Sequence, residues 1–321
     1  MEPLLKVENL KMYYETIRGY VRAVDDISFN INKKEALGLA GESGCGKTSA
    51  ALTILKLLPS NAEIVDGSVT LAGENLVKMN EKEFRDKIRW KRISMIFQGA
   101  MNALHPTYTV GDQIAEAITR HEDVSKDEAK ERAGKLLELV GMKRSRVDRY
   151  PHELSGGMKQ RSVTAMALAC NPDLVIADEP TTALDVIVQA QVLKVMKELK
   201  QRLHISMMLI SHDLSMIAET CDKVAIMYAG KIVEYGDITT VYKEPLHPYT
   251  KKLITTFPSV LGPKTELSSI HGFPPDLLQP PPGCRFHPRC AYATEKCRRE
   301  EPPLEKAGSK ERVVACHLYV G

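Results

Sequence analysis

The segment over residues 41–48 constrains the fold more than any other feature of the chain, and it reads Gly-Glu-Ser-Gly-Cys-Gly-Lys-Thr. It fits the pattern G-x-x-x-x-G-K-[ST] between a strand-like run (36–40) and a helix-like segment (49–58) that ends at Pro59. Glycines let backbone N–H groups surround a phosphate, and the following helix N-terminus adds favourable partial charge. The sequence therefore predicts a nucleotide site. Its predicted binding residues are Ser43, Gly44, Cys45, Gly46, Lys47, Thr48 and Ser49.

Three residues of this loop have individual interpretations. Lys47 is expected to reach the β- and γ-phosphates of ATP, and the Thr48 hydroxyl is expected to coordinate Mg²⁺. Cys45 has two interpretations: a small packing residue, which we favour, or a redox-sensitive thiol whose pKa the helix N-terminus lowers.

An apolar run at residues 174–177 ends in two carboxylates, Asp178 and Glu179. A strand buried on both faces presents its last side chains at the ligand crevice of a parallel sheet. Asp178 is then expected to hold Mg²⁺ through water. Glu179 is expected to act as the catalytic base that polarises the attacking water.

The rest of the patterning indicates an α/β fold with a mostly parallel sheet. Helical composition covers residues 111–139, which suggests two or three helices, and residues 186–203. After about residue 245 prolines become frequent and indicate a loop-rich extension, so the predicted domains are 1–245 and 246–321. The remaining strand candidates are residues 4–12, 27–31, 68–71, 207–210 and 224–227.

The bulk composition is that of an ordinary globular protein, with 43% hydrophobic and 26% charged residues among 321. A formal net charge of +3 argues against a protein that coats nucleic acid. No apolar run is long enough to span a bilayer, and the N-terminus lacks a signal-peptide pattern. We therefore expect a protein that, if it works at a membrane, works from the cytosolic side through partners.

The segment over residues 154–161, Leu-Ser-Gly-Gly-Met-Lys-Gln-Arg, resembles the signature of ABC ATPases and ends 17 residues before Asp178. Other family motifs occur in the right order. Gln98 resembles the Q-loop glutamine, and residues 183–185 (Ala-Leu-Asp) resemble the D-loop. His212 resembles the switch histidine. Tyr14 resembles the aromatic residue that stacks on adenine, with Tyr13 and Tyr20 as alternatives.

This resemblance implies an ABC-type P-loop core with an antiparallel β subdomain and a helical subdomain at about residues 99–160. It implies that two subunits close around two ATP molecules. Gln98 would join Thr48 and Asp178 at Mg²⁺, and His212 would sense the γ-phosphate. Ser155, Gly156 and Gly157 are implied to bind the γ-phosphate held by the opposite subunit, and Asp185 of the D-loop is counted among the nucleotide-binding residues.

Four of the seven cysteines lie in the last 38 residues, with the spacing C-x₅-C-x₆-C-x₁₈-C. Zinc sites usually have closer pairs, whereas four cysteines are also the ligand set of an iron–sulfur cluster. The tail, including Leu-His-Pro-Tyr-Thr at residues 246–250, resembles dipeptide and oligopeptide importer ATPases. That resemblance favours a [4Fe–4S] cluster, then Zn²⁺, then plain thiols. The implied ligands are Cys284, Cys290, Cys297 and Cys316.

The same resemblance implies the partners: a second ABC ATPase subunit, expected to be a paralogue in a heterodimer, two membrane-spanning permease subunits and an extracytoplasmic substrate-binding protein. The chain would lie at the cytoplasmic face of the cell membrane. Alternative substrates are oligosaccharides or nickel. A soluble ABC ATPase of DNA repair or translation is a weaker alternative, because about 110 residues without a long heptad run separate the phosphate loop from the signature. A redox-sensing regulator that uses the cysteine tail is a third.

Overall fold

Strands and helices follow the apolar patterning of the chain, and the computed structural model describes them over residues 2–99, 102–182, 184–256, 270–308 and 312–320. The strands are β1 (Leu5–Thr16), β2 (Gly19–Ile31), β3 (Ala36–Ala40), β4 (Ala62–Leu71), β5 (Glu74–Asn75), β6 (Ile93–Ile96), β7 (Leu174–Asp178), β8 (Ser206–Ser211), β9 (Lys223–Tyr228), β10 (Lys231–Asp237), β11 (Glu305–Lys306) and β12 (Val313–Val314). The α-helices are α1 (Lys47–Ile54), α2 (Glu81–Lys87), α3 (Val110–His121), α4 (Lys126–Leu139), α5 (Gly156–Ala167), α6 (Val186–Leu203), α7 (Leu214–Thr220), α8 (Ile238–Lys243), α9 (Pro248–Thr256) and α10 (Glu295–Arg299). Short 3-10 helices occupy Arg144–Asp148, Pro151–Glu153 and His287–Arg289.

The chain divides into two compact units. The first comprises the described residues within Met1–Asn32, Ala36–Lys78 and Leu209–Gly321. The second comprises those within Lys33–Glu35 and Met79–Met208. The predicted domain boundary near residue 245 and the predicted helical subdomain at about residues 99–160 stay predictions.

The first unit contains both kinds of strand pairing. An antiparallel sheet has the order β2-β1-β4-β5. β1 and β2 are longer than the apolar runs predict, and their pairing continues through polar residues and across several register shifts. In a second set, β3 pairs in parallel with β9. β10 then pairs antiparallel with β9 on one side and with β12 on the other. The predicted α/β class, with parallel strands and an antiparallel β part, is confirmed.

The second unit is a parallel strand pair with helices. β6 and β7 pair in parallel, and α3 and α4 are the two helices that residues 111–139 predict. The N-cap residues Thr109 and Ser125 each accept a backbone N–H group and so fix the starts of α3 and α4. Trp90 stacks on His121 at the end of α3, with ring centroids 5.8 Å apart.

The C-terminal extension is loop-rich and also carries α9, α10 and β12. Tyr249 of α9 and Phe286 are almost fully buried, and their rings lie 5.5 Å apart. These aromatic side chains anchor the extension in the core of the first unit. Among the described residues, no helix has both the length and the apolar character that a bilayer span requires.

Candidate nucleotide and cysteine sites

The phosphate loop begins after β3, whose five residues are all buried, and ends at the start of α1. Two of its glycines lie where a side chain has no room. A Cβ on Gly41 would lie 2.1 Å from the Met227 carbonyl oxygen, and a Cβ on Gly46 would lie 2.0 Å from that of Ala23. Both glycines have positive φ, 154° and 105°, which glycine adopts without steric cost. These two positions therefore require glycine.

Lys47, the first residue of α1, folds back over the loop. Its buried Nζ donates to the carbonyl oxygens of Gly41 (2.8 Å) and Glu42 (2.9 Å). Gly46 caps the helix and has no side chain to accept an N–H group from the first turn. The donors of that turn are therefore oriented to bind an anion. The exposed members of the predicted phosphate-binding set are Ser43, Gly44 and Thr48.

Cys45 is buried in the loop, with its Sγ 3.7 Å from Lys47 Nζ. Burial raises the pKa of the Cys45 thiol, and the neighbouring ammonium only partly offsets this effect. A thiol with a raised pKa carries little thiolate at neutral pH. This environment favours the packing interpretation over the redox-sensitive one.

The three candidate adenine-stacking tyrosines have different environments. The Tyr14 hydroxyl lies 3.0 Å from Ser49 Oγ, on the helix that follows the phosphate loop. Tyr13 instead donates to Asp25 at 2.7 Å, and burial together with that bond raises its pKa to about 12. Tyr20 is exposed on β2 and pairs with the backbone of Glu15. Among the described residues, Tyr14 is the one tyrosine of the three with a hydrogen bond to the predicted nucleotide-binding set.

His212 is exposed directly after β8. Two hydrogen bonds fix the next residue, Asp213. Asp213 caps α7 by accepting the Ser215 N–H group at 2.8 Å, and its own N–H group donates to Ser211 Oγ at 2.9 Å. The predicted switch histidine therefore lies on a well-defined strand-to-helix turn.

In the second unit, parallel pairing brings Gln98 to Glu179. β6 and β7 are in register with Ile96 opposite Ala177, so the residues that follow each strand leave the sheet at the same edge. Gln98 Nε2 donates to Glu179 Oε2 at 2.8 Å. The structure thus brings together the predicted Q-loop residue and the predicted catalytic base.

A residue that the sequence motifs did not indicate also contacts the predicted catalytic base. Thr182 Oγ1 donates to Glu179 Oε2 at 3.1 Å. Glu179 has a positive φ of 43°, an uncommon conformation for a residue other than glycine. The preceding residue, Asp178, is 1% exposed at the end of the fully buried β7. Thr182 lies in a Pro-Thr-Thr turn with no periodic pattern, so only its three-residue distance from Glu179 could have indicated it.

The signature residues form an ordinary helix start. Ser155 caps α5, and its hydroxyl accepts the Met158 N–H group at 3.4 Å. Gly157 has little space beside it, since a Cβ there would lie 2.6 Å from Val188 Cγ1 of α6. Asp185 caps α6 by accepting the Val188 N–H group at 3.0 Å. Ala183 of the predicted D-loop and residues 100–101 after Gln98 lie outside the described residues.

The four C-terminal cysteines line one small pocket that is partly open to solvent. Two backbone hydrogen bonds hold its wall, from Cys284 N–H to the Cys297 carbonyl and from Cys290 N–H to the His287 carbonyl. Burial and the neighbouring cysteines raise the pKa of Cys284 to about 12. Within the part of the chain that the structure describes, no three His, Cys, Asp or Glu side chains come into a metal-holding arrangement.

Comparisons with known proteins extend over the whole chain. A family model described as "ABC transporter" matches residues 24–182, and one described as "Oligopeptide/dipeptide transporter, C-terminal region" matches residues 233–297. The chain is 45% identical to the oligopeptide transport ATP-binding protein AppD of Bacillus subtilis (strain 168), over 99% of this chain and 98% of that protein. It is 46% identical to the dipeptide transport ATP-binding protein DppD of the same organism, over 99% and 95%. Among solved structures it is similar to cbiO1 of Clostridium perfringens, part of the ABC transporter complex cbiONQ, with a TM-score of 0.66, 25% identity, and coverage of 76% and 92%.

Proposed function

The chain belongs to the ABC transporter family, among the oligopeptide and dipeptide transport ATP-binding proteins, and on that premise we propose that it hydrolyses ATP to drive the import of dipeptides or oligopeptides. The observation that carries the hydrolysis part of the proposal is the 2.8 Å contact between Gln98 and Glu179 at one sheet edge. The peptide part rests on the full-length similarity to the two Bacillus subtilis proteins.

The phosphate loop would bind the ATP phosphates. Glycine at positions 41 and 46 lets the loop pass close to neighbouring backbone carbonyls, and the first turn of α1 presents N–H donors to the anion. Lys47, whose ammonium already bonds two loop carbonyls, would add a positive charge at the β- and γ-phosphates. Tyr14 would stack on adenine.

Glu179 would serve as the general base. Its carboxylate accepts hydrogen bonds from Gln98 and Thr182, and these two donors fix the orientation of the group that must receive a proton from water. Positioning is a large part of the catalysis of phosphoryl transfer. His212 would sense the γ-phosphate from its position after β8.

The donor set of these residues fits Mg²⁺, because hydroxyl, amide and carboxylate oxygens are the ligands that this ion prefers. Thr48, Gln98 and Asp178 would hold it, and the bound ion would offset the negative charge of the phosphates.

Ser155, Gly156 and Gly157 would bind the ATP held by a second subunit. The hydroxyl of Ser155 and the exposed N-terminal turn of α5 supply donors for an anion. Asp185 would also belong to the nucleotide-binding residues. We propose that the second subunit is a paralogue. The other proposed partners are two permease subunits and an extracytoplasmic substrate-binding protein, with this chain at the cytoplasmic face of the membrane.

The four tail cysteines would hold a [4Fe–4S] cluster, with Zn²⁺ as the alternative. Four sulfurs that line one pocket match the donor set of such a cluster in residue type, and they would have to draw together to bind it, because no three of them form a metal-holding arrangement in the described residues. When bound, the cluster would cross-link segments far apart in the tail. Equal iron and sulfide in anaerobically purified protein would support this assignment, and stoichiometric zinc would overturn it.

The test of the proposed function is purification of the chain with its companion chains from native membranes. We expect two permeases, a paralogous ATPase and a peptide-binding protein, together with ATP hydrolysis that peptide-loaded binding protein stimulates. Glu179→Gln should lower hydrolysis at least about hundredfold and leave MgATP binding intact, because only the base is lost. A complex stimulated by an oligosaccharide- or nickel-binding protein would contradict the peptide assignment. An unchanged hydrolysis rate in Glu179→Gln would contradict the assignment of the base.

A further inference from the structure

An arginine of the C-terminal extension forms an ion pair with the phosphate loop. Arg289 binds the Glu42 carboxylate with both arms of its guanidinium, NH1 to Oε2 at 2.7 Å and NH2 to Oε1 at 3.0 Å. Its side chain is only 5% exposed, and that of Glu42 is 25% exposed. Two-pronged arginine–carboxylate pairs are among the strongest and most directional polar contacts in proteins. Glu42 is the second residue of the loop, five positions before Lys47.

The rest of the guanidinium is fully engaged as well. Nε donates to the His271 carbonyl (3.0 Å), NH2 also donates to the Ile270 carbonyl (3.2 Å), and NH1 also donates to the Tyr228 hydroxyl (3.3 Å). Together with the two bonds to Glu42, these contacts use all five N–H groups that an arginine has. A side chain held at every donor has one position, so Arg289 is a rigid support for the loop and not a mobile surface charge.

Glu42 is held at its backbone too. Its N–H group donates to the hydroxyl of Tyr249 in α9 at 2.8 Å, and its carbonyl oxygen accepts from Lys47 Nζ at 2.9 Å. Tyr249 is fully buried, and its ring lies 4.6 Å from that of Tyr228. The extension therefore fixes Glu42 at two points, and Glu42 is bonded directly to the lysine that the proposed function assigns to the phosphates.

We infer that Arg289 is a positioning residue for the nucleotide site: its fork on Glu42 holds the phosphate loop and Lys47 in the arrangement that binds ATP. The loop itself is a short turn whose glycines have no side chains to brace it. Bracing from a buried side chain lowers the conformational entropy that the loop must lose when it binds a ligand. The C-terminal extension then contributes to ATP binding by its own subunit. This inference rests on the proposed function only in taking ATP as the ligand.

The experiment measures the dissociation constant of MgATP for the full-length chain by calorimetry. Arg289→Gln should weaken MgATP binding about tenfold, because the fork is lost and the Glu42 carboxylate is left partly buried without its cation. Arg289→Lys keeps the positive charge but not the two-pronged contact. Its MgATP dissociation constant should therefore lie between those of Arg289→Gln and the wild type. In the double variant Glu42→Gln/Arg289→Gln, the loss should not exceed that of the larger single variant, since both changes break one contact.

Arg312→Gln is the matched control. Arg312 is also a buried arginine of the extension, and it donates to the carbonyl oxygen of Glu244, the residue after α8, instead of to the phosphate loop. The Arg312→Gln variant should lower the melting temperature much as Arg289→Gln does. It should nevertheless change the MgATP dissociation constant less than about twofold. If Arg289→Gln does not fold, Arg289→Lys and Glu42→Gln are compared with the control in its place.

Two results would overturn the inference: equal weakening of MgATP binding by the Arg289 and Arg312 variants, or losses that multiply in the double variant. Failure of the proposed function gives a different result, since a wild-type chain in its complex would then bind MgATP without hydrolysing it. The comparison of the Arg289 and Arg312 variants remains decisive in that case, because it depends on binding alone. A wild-type chain that does not bind MgATP would overturn both.

Discussion

The phosphate loop and the signature segment are two helix starts that contain glycine, and they are built in different ways. In the phosphate loop Gly41 and Gly46 take positive φ against neighbouring carbonyls, and Lys47 is buried over them. In the signature, Ser155 caps α5 with its own hydroxyl, and Gly157 is glycine because of the adjacent Val188. The first is a preformed cradle, whereas the second is an exposed, conventionally capped helix end. The difference agrees with the proposal that the phosphate loop binds the ATP of its own subunit and that the signature meets the ATP of a second subunit.

The largest effect expected from this comparison is that of Gly46→Ala in the phosphate loop. Its Cβ would lie 2.0 Å from the Ala23 carbonyl, so the loop must deform, and we expect MgATP affinity to fall more than about hundredfold. Gly44→Ala is the control. Gly44 also has positive φ, but its Cβ would meet no described atom within 4 Å, so the loss should be much smaller. Equal losses in calorimetric titrations would show that backbone conformation alone, and not the close approach, requires glycine.

A smaller effect is expected for Gly157→Ala in the signature. The new methyl group would press on Val188 and displace α5 from α6, and we expect ATP hydrolysis by the assembled complex to fall about tenfold. Because the cause is steric, Val188→Ala in the same chain should restore most of the rate, while Val188→Ala alone should cost little. If the double variant stays as slow as Gly157→Ala, the glycine is needed for its exposed backbone instead.

The smallest effect concerns thiol reactivity in the two segments. Burial raises the pKa of Cys45, so its thiolate is scarce at pH 7, and its reaction with N-ethylmaleimide should accelerate only as the pH rises toward that pKa. A cysteine introduced by Ser155→Cys lies at an exposed helix start and should react at least about fivefold faster at pH 7. Peptide mass spectrometry measures both rates in one sample. Faster labelling of Cys45 would contradict its packing role.

Local patterns were sufficient for several elements. The predicted bounds of β3 and α6 match the structure, because each is a continuous apolar or amphipathic run with a clear stop. The start of β2 and the end of β1 could not be predicted, since residues 13–16 and 19–26 have no regular alternation of apolar and polar side chains and are held by pairing with each other. α9 begins at Pro248, where proline suits the first turn of a helix although its frequency in the tail indicated loops.

Contacts between residues far apart in the sequence could not be predicted from local patterns, for a physical reason. The Arg289–Glu42 pair joins residues 247 positions apart, and neither residue type indicates burial by itself. The Gln98–Glu179 contact was indirectly predictable, because parallel strands place their ends at one edge. Thr182 was not predicted, since the turn that brings its hydroxyl to Glu179 depends on the left-handed backbone of Glu179 itself.

The Trp90–His121 stack has a spectroscopic consequence. The chain has one tryptophan, and it lies in the second compact unit. Indole emission during chemical denaturation therefore follows that unit alone, while nine of the eleven tyrosines, among them the buried Tyr228 and Tyr249, lie in the first unit and dominate the change in tyrosine absorbance. One unlabelled sample thus carries a separate optical signal for each half of the molecule, so the order in which the halves lose their structure can be followed without introducing a dye.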